Sequence, residues 1–229
     1  MLLQKLSERL PYKGRESLMK FTNIITSDEA FEAFCEEVGK PSELAANKVI
    51  SSIDAHCEAF IKKSPFLTMA SANKDGACDV TPRGDDPGFV HVVDENFLFI
   101  PERPGNKRMD SAHNILSNPH VGLLFFIPGL GETLRINGKA HICRDPELLD
   151  ACMAKGKRPL FGVLVEVKEC YIHCAKAFLR SGLWKPESWI DQEERPSVAK
   201  MIKAHTEFDK KTEQDIERSL EESYAKRLY

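Results

Sequence analysis

The chain has 229 residues, of which 42% are hydrophobic and 29% charged, and its formal net charge is −3. This length fits one large domain or one domain with a helical extension, and the apolar content is enough for a substantial core. The slightly negative charge gives no overall basic field, which argues against nucleic-acid and membrane partners. Any anion-binding site must therefore be local.

The N-terminal residues MLLQKLSERLPYKGRESLMK contain no apolar stretch of the kind found in signal peptides. No run approaches the roughly 20 apolar residues of a membrane-spanning helix. The seven cysteines are an odd number and are scattered along the chain. Reduced thiols in a cytoplasmic protein are the simpler interpretation, so we expect a cytoplasmic location and no disulfide framework.

Two helices are predicted before the first strand. Ser27 is a suitable N-cap for a helix that ends at Gly39, with apolar residues recurring on one face. A second helix is predicted from Ser42 to Lys62, because its apolar residues recur at steps of three and four. The chain from Pro196 to its end is highly charged and is also predicted to be helical.

After Pro65 the hydrophobic period changes to that of strands. The segments FLTMASA and ACDVTP, FVHVV and NFLFIP, and HVGLLFFI and ETLRINGKAHI read as three hairpins, followed by the long strand LFGVLVEVKECYIH. Short helices are expected at 107–117 and after Asp145-Pro146. We count about six antiparallel strands with short turns, which suggests a small closed barrel.

The segment Gly105-Asn106-Lys107-Arg108 places two cations where a helix is predicted to begin. The start of a helix carries unpaired N–H groups and about half a positive charge, so cations there are unfavourable unless an anion lies over it. An arginine can grip a phosphate with two hydrogen bonds and a lysine adds a point charge. A solvated basic turn is the alternative.

Two further polar groups lie on predicted strands. Arg83 ends one strand, while Arg135 and Asn137 alternate with Leu134 and Ile136 and so point away from the core face. Each could be part of an ordinary polar outer surface. The sequence offers no GxGxxG after a strand, no GxxxxGK[ST] and no HExxH, so Rossmann, P-loop and zincin sites are not supported.

The blocks SPFLTMAS, VTPRGDDPGFV, GNKRMDSAHNILSNPHVGLLFF and ECYIHCAKAFLRSGLW resemble the pyridoxamine 5′-phosphate oxidase-related flavoproteins. The resemblance spans about Ser64 to Trp184 and implies a mainly β fold, a six-stranded antiparallel FMN-binding split barrel with N-terminal and C-terminal helices. It implies an FMN-dependent oxidoreductase with an unknown small-molecule substrate. It also implies a homodimer with flavin at the subunit interface, and these cofactor-binding residues: Arg83, Asn106, Lys107, Arg108, Thr133, Arg135, Arg180, Ser181 and Trp184.

The resemblance divides the chain into an N-terminal helical extension (1–63), a split-barrel domain (64–184) and a C-terminal helical segment (185–229). The chain ends in KRLY, whereas true pyridoxamine phosphate oxidases end in an Arg-Leu-x-Pro-like tail, so that phosphate ester is not the expected substrate. No catalytic residue stands out, because the chemistry would belong to the flavin.

Cys170, His173 and Cys174 are the remaining cluster. Structural residues, a redox or cleft role and a metal site are all open, although zinc would need a fourth ligand and we predict none. Two further functions stay open beside the oxidoreductase. One is an FMN-binding protein without turnover. The other is a haem-binding or haem-degrading split barrel with His173 as the best axial ligand.

Overall fold

A computed structural model describes residues 23–206 and 211–229. The chain divides between Asn47 and Lys48 into two compact units. The expectation about a signal peptide concerns residues outside the described part of the chain. Within the described residues, no helix is both long enough and apolar enough to cross a membrane.

The first unit contains the predicted helix α1, Asp28–Val38. The Ser27 side chain accepts a hydrogen bond from the backbone N–H of Ala30, and Gly39 ends the helix with a φ of +85°, which favours glycine. A short helix, α2, follows at Glu43–Asn47. The ends of α1 are therefore those that the sequence predicts.

The single helix predicted from Ser42 to Lys62 is wrong, because it is two helices, α2 and α3 (Ala55–Ile61). Between them Ile50 forms an isolated bridge with Cys170, through two backbone hydrogen bonds of 3.0 and 2.7 Å. Asp54 then starts α3 afresh by accepting a hydrogen bond from the N–H of Cys57 at 2.7 Å. The prediction failed because the helical spacing of apolar residues continues across Ile50, whose backbone pairs with a strand.

The second unit is built on one antiparallel sheet of seven strands in the order β2-β1-β5-β6-β7-β4-β3. The strands are β1 Phe66–Ala72, β2 Cys78–Gly84, β3 His91–Val92, β4 Phe97–Pro101, β5 His120–Phe126, β6 Thr133–Cys143 and β7 Gly162–His173. The count of six is corrected to seven. Each of the seven segments quoted in the sequence analysis forms one strand. The positions of the strands were therefore predicted, and only their number was wrong.

The sheet is also not closed, contrary to the closed barrel expected. Strands β2 and β3 are its two edges, and no pairing joins them among the described residues. Strand β3 has two residues, which offer few backbone groups for pairing, and Pro82 removes one N–H donor from β2. The open antiparallel sheet with flanking helices fits a split barrel.

Helices surround the sheet: α4 Asp110–Ser117, α5 Pro146–Ala151, α6 Lys176–Ser181, α7 Val198–His205 and α8 Glu213–Lys226. The helix expected after Asp145-Pro146 is α5, and Asp145 caps it through the N–H groups of Glu147 and Leu148. The chain from Pro196, predicted to be helical, contains α7 and α8.

The two faces of the sheet differ in character. Residues opposite each other in adjacent antiparallel strands share a face. Leu67, Phe125 and Leu134 are fully buried in the core, and Arg83 is opposite Leu67 on the same inner face. The outer face of β2, β1 and β5 is largely apolar and at least partly exposed; it includes Val80, Pro82, Phe66, Ala70, Leu124 and Phe126.

A β-bulge keeps the inner face of β7 apolar along its whole length. The pairing of β6 with β7 shifts register between Asn137 and Gly138, which skips Lys168. Val167 before the shift and Cys170 after it are therefore both buried. A Cβ at Gly138 would lie 2.2 Å from the carbonyl oxygen of Glu166, so only glycine permits this close approach.

Candidate functional site

A cavity of about 320 Å³ lies at the place where the sheet fails to close. One wall is the end of β2, from Thr81 to Gly84, and the other is the segment from Pro101 at the end of β4 to Ala112 in α4. The missing strand pairing therefore leaves a space between two sheet elements. This volume falls in the range of small-molecule sites, about 300–1,000 Å³.

Two ion pairs bridge the cavity between the ends of β2 and β4. We call their four residues the seam: Arg83, Asp85, Glu102 and Arg103. Arg83 pairs with Glu102, and Asp85 pairs with Arg103 Nε at 2.5 Å. Arg103 also donates to the carbonyl oxygen of Cys152, and the Tyr229 hydroxyl donates to Asp85. Charge pairs thus join the ends of β2 and β4 where backbone hydrogen bonds do not.

Burial raises the pKa of Asp85, but the hydrogen bonds outweigh it. The Tyr229 hydroxyl, the Asp86 N–H and the Arg103 guanidinium together hold the pKa of Asp85 below its usual value. Conversely, the hydrogen bond to the Asp85 carboxylate raises the pKa of the Tyr229 phenol. The Asp85 carboxyl is therefore ionised at neutral pH.

Arg83 is the candidate residue most enclosed by the seam cavity. One of its terminal nitrogens pairs with Glu102, but its Nε is buried and has no hydrogen-bond partner among the described residues. Thr81 and Ser111 also line the cavity, with their hydroxyl oxygens 3.4 Å apart. Arg83, Thr81 and Ser111 thus bring a guanidinium and two hydroxyls to the cavity lining.

The Lys107-Arg108 pair precedes its helix rather than starting it, because α4 begins at Asp110 and not at 107. Lys107 and Met109 have φ of +60° and +58°, an uncommon conformation for residues other than glycine. The Asn106 side-chain oxygen accepts a hydrogen bond from the Arg108 N–H at 3.0 Å. These features fold the loop back before the helix.

Arg108 is held by an acid of its own segment. Its Nε donates to Asp110 at 2.7 Å, and this hydrogen bond raises the pKa of the guanidinium. Asn106 and Arg108 line both the seam cavity and a second cavity of about 400 Å³, and Lys107 lines the second cavity. The structure therefore brings Arg83, Asn106 and Arg108 together, with Lys107 adjoining them.

Thr133 and Arg135 lie elsewhere, on the outer face of β6, where Thr133 is buried and Arg135 is partly exposed. Arg135 is opposite Leu124 of β5 and Tyr171 of β7, and its guanidinium donates to the Tyr171 hydroxyl at 3.0 Å. The expectation that Arg135 and Asn137 point away from the core is confirmed, since Leu134 and Ile136 are fully buried. Arg83 and Arg135 are thus on opposite faces of one sheet.

Arg180, Ser181 and Trp184 lie in and just after α6, and none of them lines the two cavities described above. Trp184 stacks on Phe178 with ring centroids 5.7 Å apart, and its indole N–H donates to the carbonyl oxygen of Leu130 at 2.8 Å. Ser181 donates to the Phe178 carbonyl oxygen at 3.2 Å, and Arg180 is exposed. Phe178 also contacts Phe126, so this group adjoins the apolar outer face.

Cys170, His173 and Cys174 do not converge. Cys170 is buried beneath the sheet, His173 is half-buried on the outer face, and Cys174 is exposed just beyond β7. Burial raises the pKa of the Cys170 thiol, as it does for Cys57. Among residues 23–206 and 211–229, no three His, Cys, Asp or Glu side chains are grouped to hold a metal ion.

Sequence reasoning missed the charged residues of the seam. Asp85, Glu102 and Arg103 close it, and Ser111 lines the cavity. A signal was present, because two opposite charges follow each strand end, in the segments RGD and PER. Pairing them required knowing that the ends of β2 and β4 meet.

Comparisons with known proteins identify a relationship. The sequence model described as pyridoxamine 5′-phosphate oxidase matches residues 53–174, just over half of the chain. A search of curated proteins gave no significant match.

Three solved structures with a similar backbone course have a low sequence identity to this chain. HupZ from Group A Streptococcus has 14% identity and a TM-score of 0.43, covering 52% of this chain and 93% of that one. HutZ, the heme storage protein from Vibrio cholerae, has 16% identity and a TM-score of 0.38, covering 53% and 93%. A FAD-binding protein from Mesorhizobium loti has 16% identity and a TM-score of 0.36, covering 55% and 99%.

Proposed function

The chain belongs to the pyridoxamine 5′-phosphate oxidase family, and on that premise we propose that it is an FMN-dependent oxidoreductase acting on a small molecule. The observation that supports this most is the cavity at the seam, where Arg83 presents a buried Nε without a partner beside Asn106 and Arg108. Such a group is costly to bury unless a ligand accepts its hydrogen bond.

The residues around the loop fit the phosphate of FMN. Asn106, Lys107 and Arg108 would hold it, with Arg83 close by and the Thr81 and Ser111 hydroxyls as further donors. A phosphate needs several donors and positive charge, and an arginine supplies both in a planar fork. Asp110 keeps Arg108 oriented near the cavity, and a phosphate would compete with it for that guanidinium.

Thr133, Arg135, Arg180, Ser181 and Trp184 would contact the same flavin from a second chain. The supporting observation is that Arg83 and Arg135 lie on opposite faces of one sheet, so one copy does not present both to a single ligand. The outer face between them carries exposed apolar residues such as Val80 and Phe66, which a partner would cover. We therefore propose a homodimer with two-fold symmetry and flavin at the interface.

FMN, when bound, supplies the electron-transfer chemistry. The chain's own residues would anchor its phosphate, orient its ring and adjust its electronics through nearby charge and hydrogen bonds. Arg135 and the groups around Tyr171 supply positive charge on the face where we propose that the ring lies.

Two other functions remain distinguishable. His173 has a buried Nδ1 without a partner among the described residues, which is the observation that favours haem ligation. An absorbance spectrum of the purified protein separates flavin from haem. An FMN-binding protein without turnover would show the flavin spectrum but no oxidation of reduced nicotinamide cofactors and no activity in substrate screens.

The direct test is the double variant Lys107→Ala with Arg108→Ala. Losing charge-assisted hydrogen bonds to a dianion costs on the order of 1.5–3 kcal/mol each, so most FMN binding should disappear while the fold remains. The matched control is Lys226→Ala with Arg227→Ala, an exposed Lys-Arg pair that lines neither cavity. Measured by flavin fluorescence titration, unchanged FMN affinity in the loop variant would refute the assignment.

A further inference from the structure

The second cavity, of about 400 Å³, lies between the loop that precedes α4 and the segment that leads from α5 into β7. Its volume falls within the range of small-molecule sites. Its apolar and aromatic lining residues are Pro104, Met109, Pro159, Leu160, Phe161 and Tyr229. Such a lining suits the flat, apolar body of a small molecule.

The walls of the second cavity are held in place by hydrogen bonds. The Glu102 N–H donates to the carbonyl oxygen of Phe161 at 3.0 Å, which joins the two segments. Tyr229 is held at two points, because its hydroxyl donates to Asp85 and its main-chain oxygen accepts a hydrogen bond from Lys157 at 2.5 Å. A site that is already formed loses little conformational freedom when a ligand enters it.

The charges that line the second cavity are not all balanced. Three of its arginines each pair with an aspartate: Arg103 with Asp85, Arg108 with Asp110, and Arg158 with Asp150. Glu102 pairs with Arg83. Among the described residues, Lys107 and Lys157 pair with no side-chain carboxylate, and the Lys157 ammonium donates to Tyr229 instead. Lys107 therefore brings one unbalanced positive charge to an otherwise apolar cavity.

From these observations we propose that the second cavity binds a small aromatic carboxylic acid. The aromatic body lies against Phe161 and Tyr229, and the carboxylate pairs with the Lys107 ammonium. A single negative charge matches the single unbalanced lysine. The ligand is not FMN, because Arg83 and the Thr81 and Ser111 hydroxyls line the seam cavity and not this one.

This site has a consequence for flavin binding, which rests on the proposed function. Lys107 belongs to the loop that we propose to hold the FMN phosphate. An acid that takes up its charge would weaken FMN binding, and FMN would weaken binding of the acid by the same factor. The acid would then regulate how much of the protein carries flavin.

The experiment titrates the full chain at pH 7 with 1-naphthoate and with 1-naphthalenemethanol, followed by calorimetry. The two probes share one ring system and differ in charge. Both should bind, and 1-naphthoate should bind about fivefold more tightly, as expected for an ion pair with an exposed lysine. Lys107→Gln should remove this preference and change the affinity for the alcohol less than twofold.

A pair of leucine variants locates the site. Leu160 lines the second cavity but not the seam cavity, and it is 79% exposed, so the fold tolerates its replacement. Leu160→Glu places a negative charge beside the ligand and should weaken 1-naphthoate binding about tenfold. The matched control is Leu116→Glu in α4, because Leu116 is 76% exposed and lines neither cavity. It should change the affinity less than twofold.

The outcomes separate this site from the flavin assignment. The site is refuted if 1-naphthoate does not bind, or if Leu160→Glu binds it as the wild type does. Equal affinities of the wild type for the acid and the alcohol would refute the carboxylate as the ligand class. If FMN binds equally well with and without saturating 1-naphthoate, the regulatory consequence is wrong. If the protein binds no FMN but 1-naphthoate still depends on Lys107 and Leu160, the oxidoreductase proposal fails while this site stands.

Discussion

The seam and the outer face around Tyr171 differ in whether their cations are paired with carboxylates. At the seam, Arg83 and Arg103 each pair with a carboxylate, and these pairs join two elements of the sheet. On the outer face, Lys48 and Arg135 pair with no carboxylate among the described residues, and both lie against the ring of Tyr171. Paired cations can hold a structure together, whereas unpaired neighbouring cations repel each other and gain from binding an anion.

The difference also has a basis in the fold. The two ion pairs of the seam join the ends of β2 and β4, which share no backbone ladder. Unpaired charges occur on the outer face of β6 and β7, where the ladder is already complete and needs no further support. The charges on the outer face are therefore not needed to join strands, whereas Arg83 is both paired at the seam and proposed to lie near the flavin.

The largest effect is expected from a substitution at Gly138, in the β-bulge that sets the register of β7 and so the positions of Tyr171 and His173. In Gly138→Ala the new Cβ would collide with the Glu166 carbonyl oxygen at 2.2 Å, and backbone cannot move aside cheaply. We expect a loss of about 3 kcal/mol or more in the free energy of unfolding, measured by urea denaturation.

Gly105→Ala is the control for that change, because its nearest neighbour would be 4.0 Å away and its φ is not positive. It should alter stability by less than about 0.5 kcal/mol. Equal stabilities for the two variants would show that the register shift at Gly138 does not require a glycine.

The second-largest effect on the free energy of unfolding is expected at the seam, where two adjacent aspartates can be compared. Asp85 has a side chain that is 3% exposed and pairs with Arg103, whereas Asp86 is 76% exposed and pairs with Lys155. Asp85→Asn should lower the free energy of unfolding by about 2 kcal/mol, because it leaves Arg103 without its charge partner in a largely buried site. Asp86→Asn should change it by less than about 0.5 kcal/mol, as expected for a surface pair.

Urea denaturation of both aspartate variants at neutral pH makes the comparison. A loss for Asp86→Asn as large as that for Asp85→Asn would mean that burial and pairing at the seam contribute nothing specific.

Much of the fold follows from local sequence patterns, while the site depends on long-range contacts. The seven strand segments and the capped helix α1 follow from alternation and from Ser27 and Gly39, which act on neighbouring residues. The break before α3 could not be predicted in this way, because Ile50 pairs with a strand 120 residues later. For the same reason Arg83 was identified without its acid Glu102, which lies 19 residues away. Asp110 lies two residues after Arg108 and was missed although this contact is local.

The smallest effect concerns how the seam responds to acid. The pKa of Asp85 is lowered in the folded chain: burial raises it, but the hydrogen bonds from Tyr229, Asp86 and Arg103 outweigh the effect of burial. A carboxyl with a depressed folded pKa contributes stability above its unfolded pKa, near about 3.9, and loses it as the pH falls through the lower folded value. The stability difference between wild type and Asp85→Asn should therefore shrink as the pH falls from neutral to about 3. Urea midpoints at several pH values measure this difference, and Asp86→Asn should track the wild type throughout. A difference that stayed constant with pH would show that Asp85 acts by packing and not through its charge.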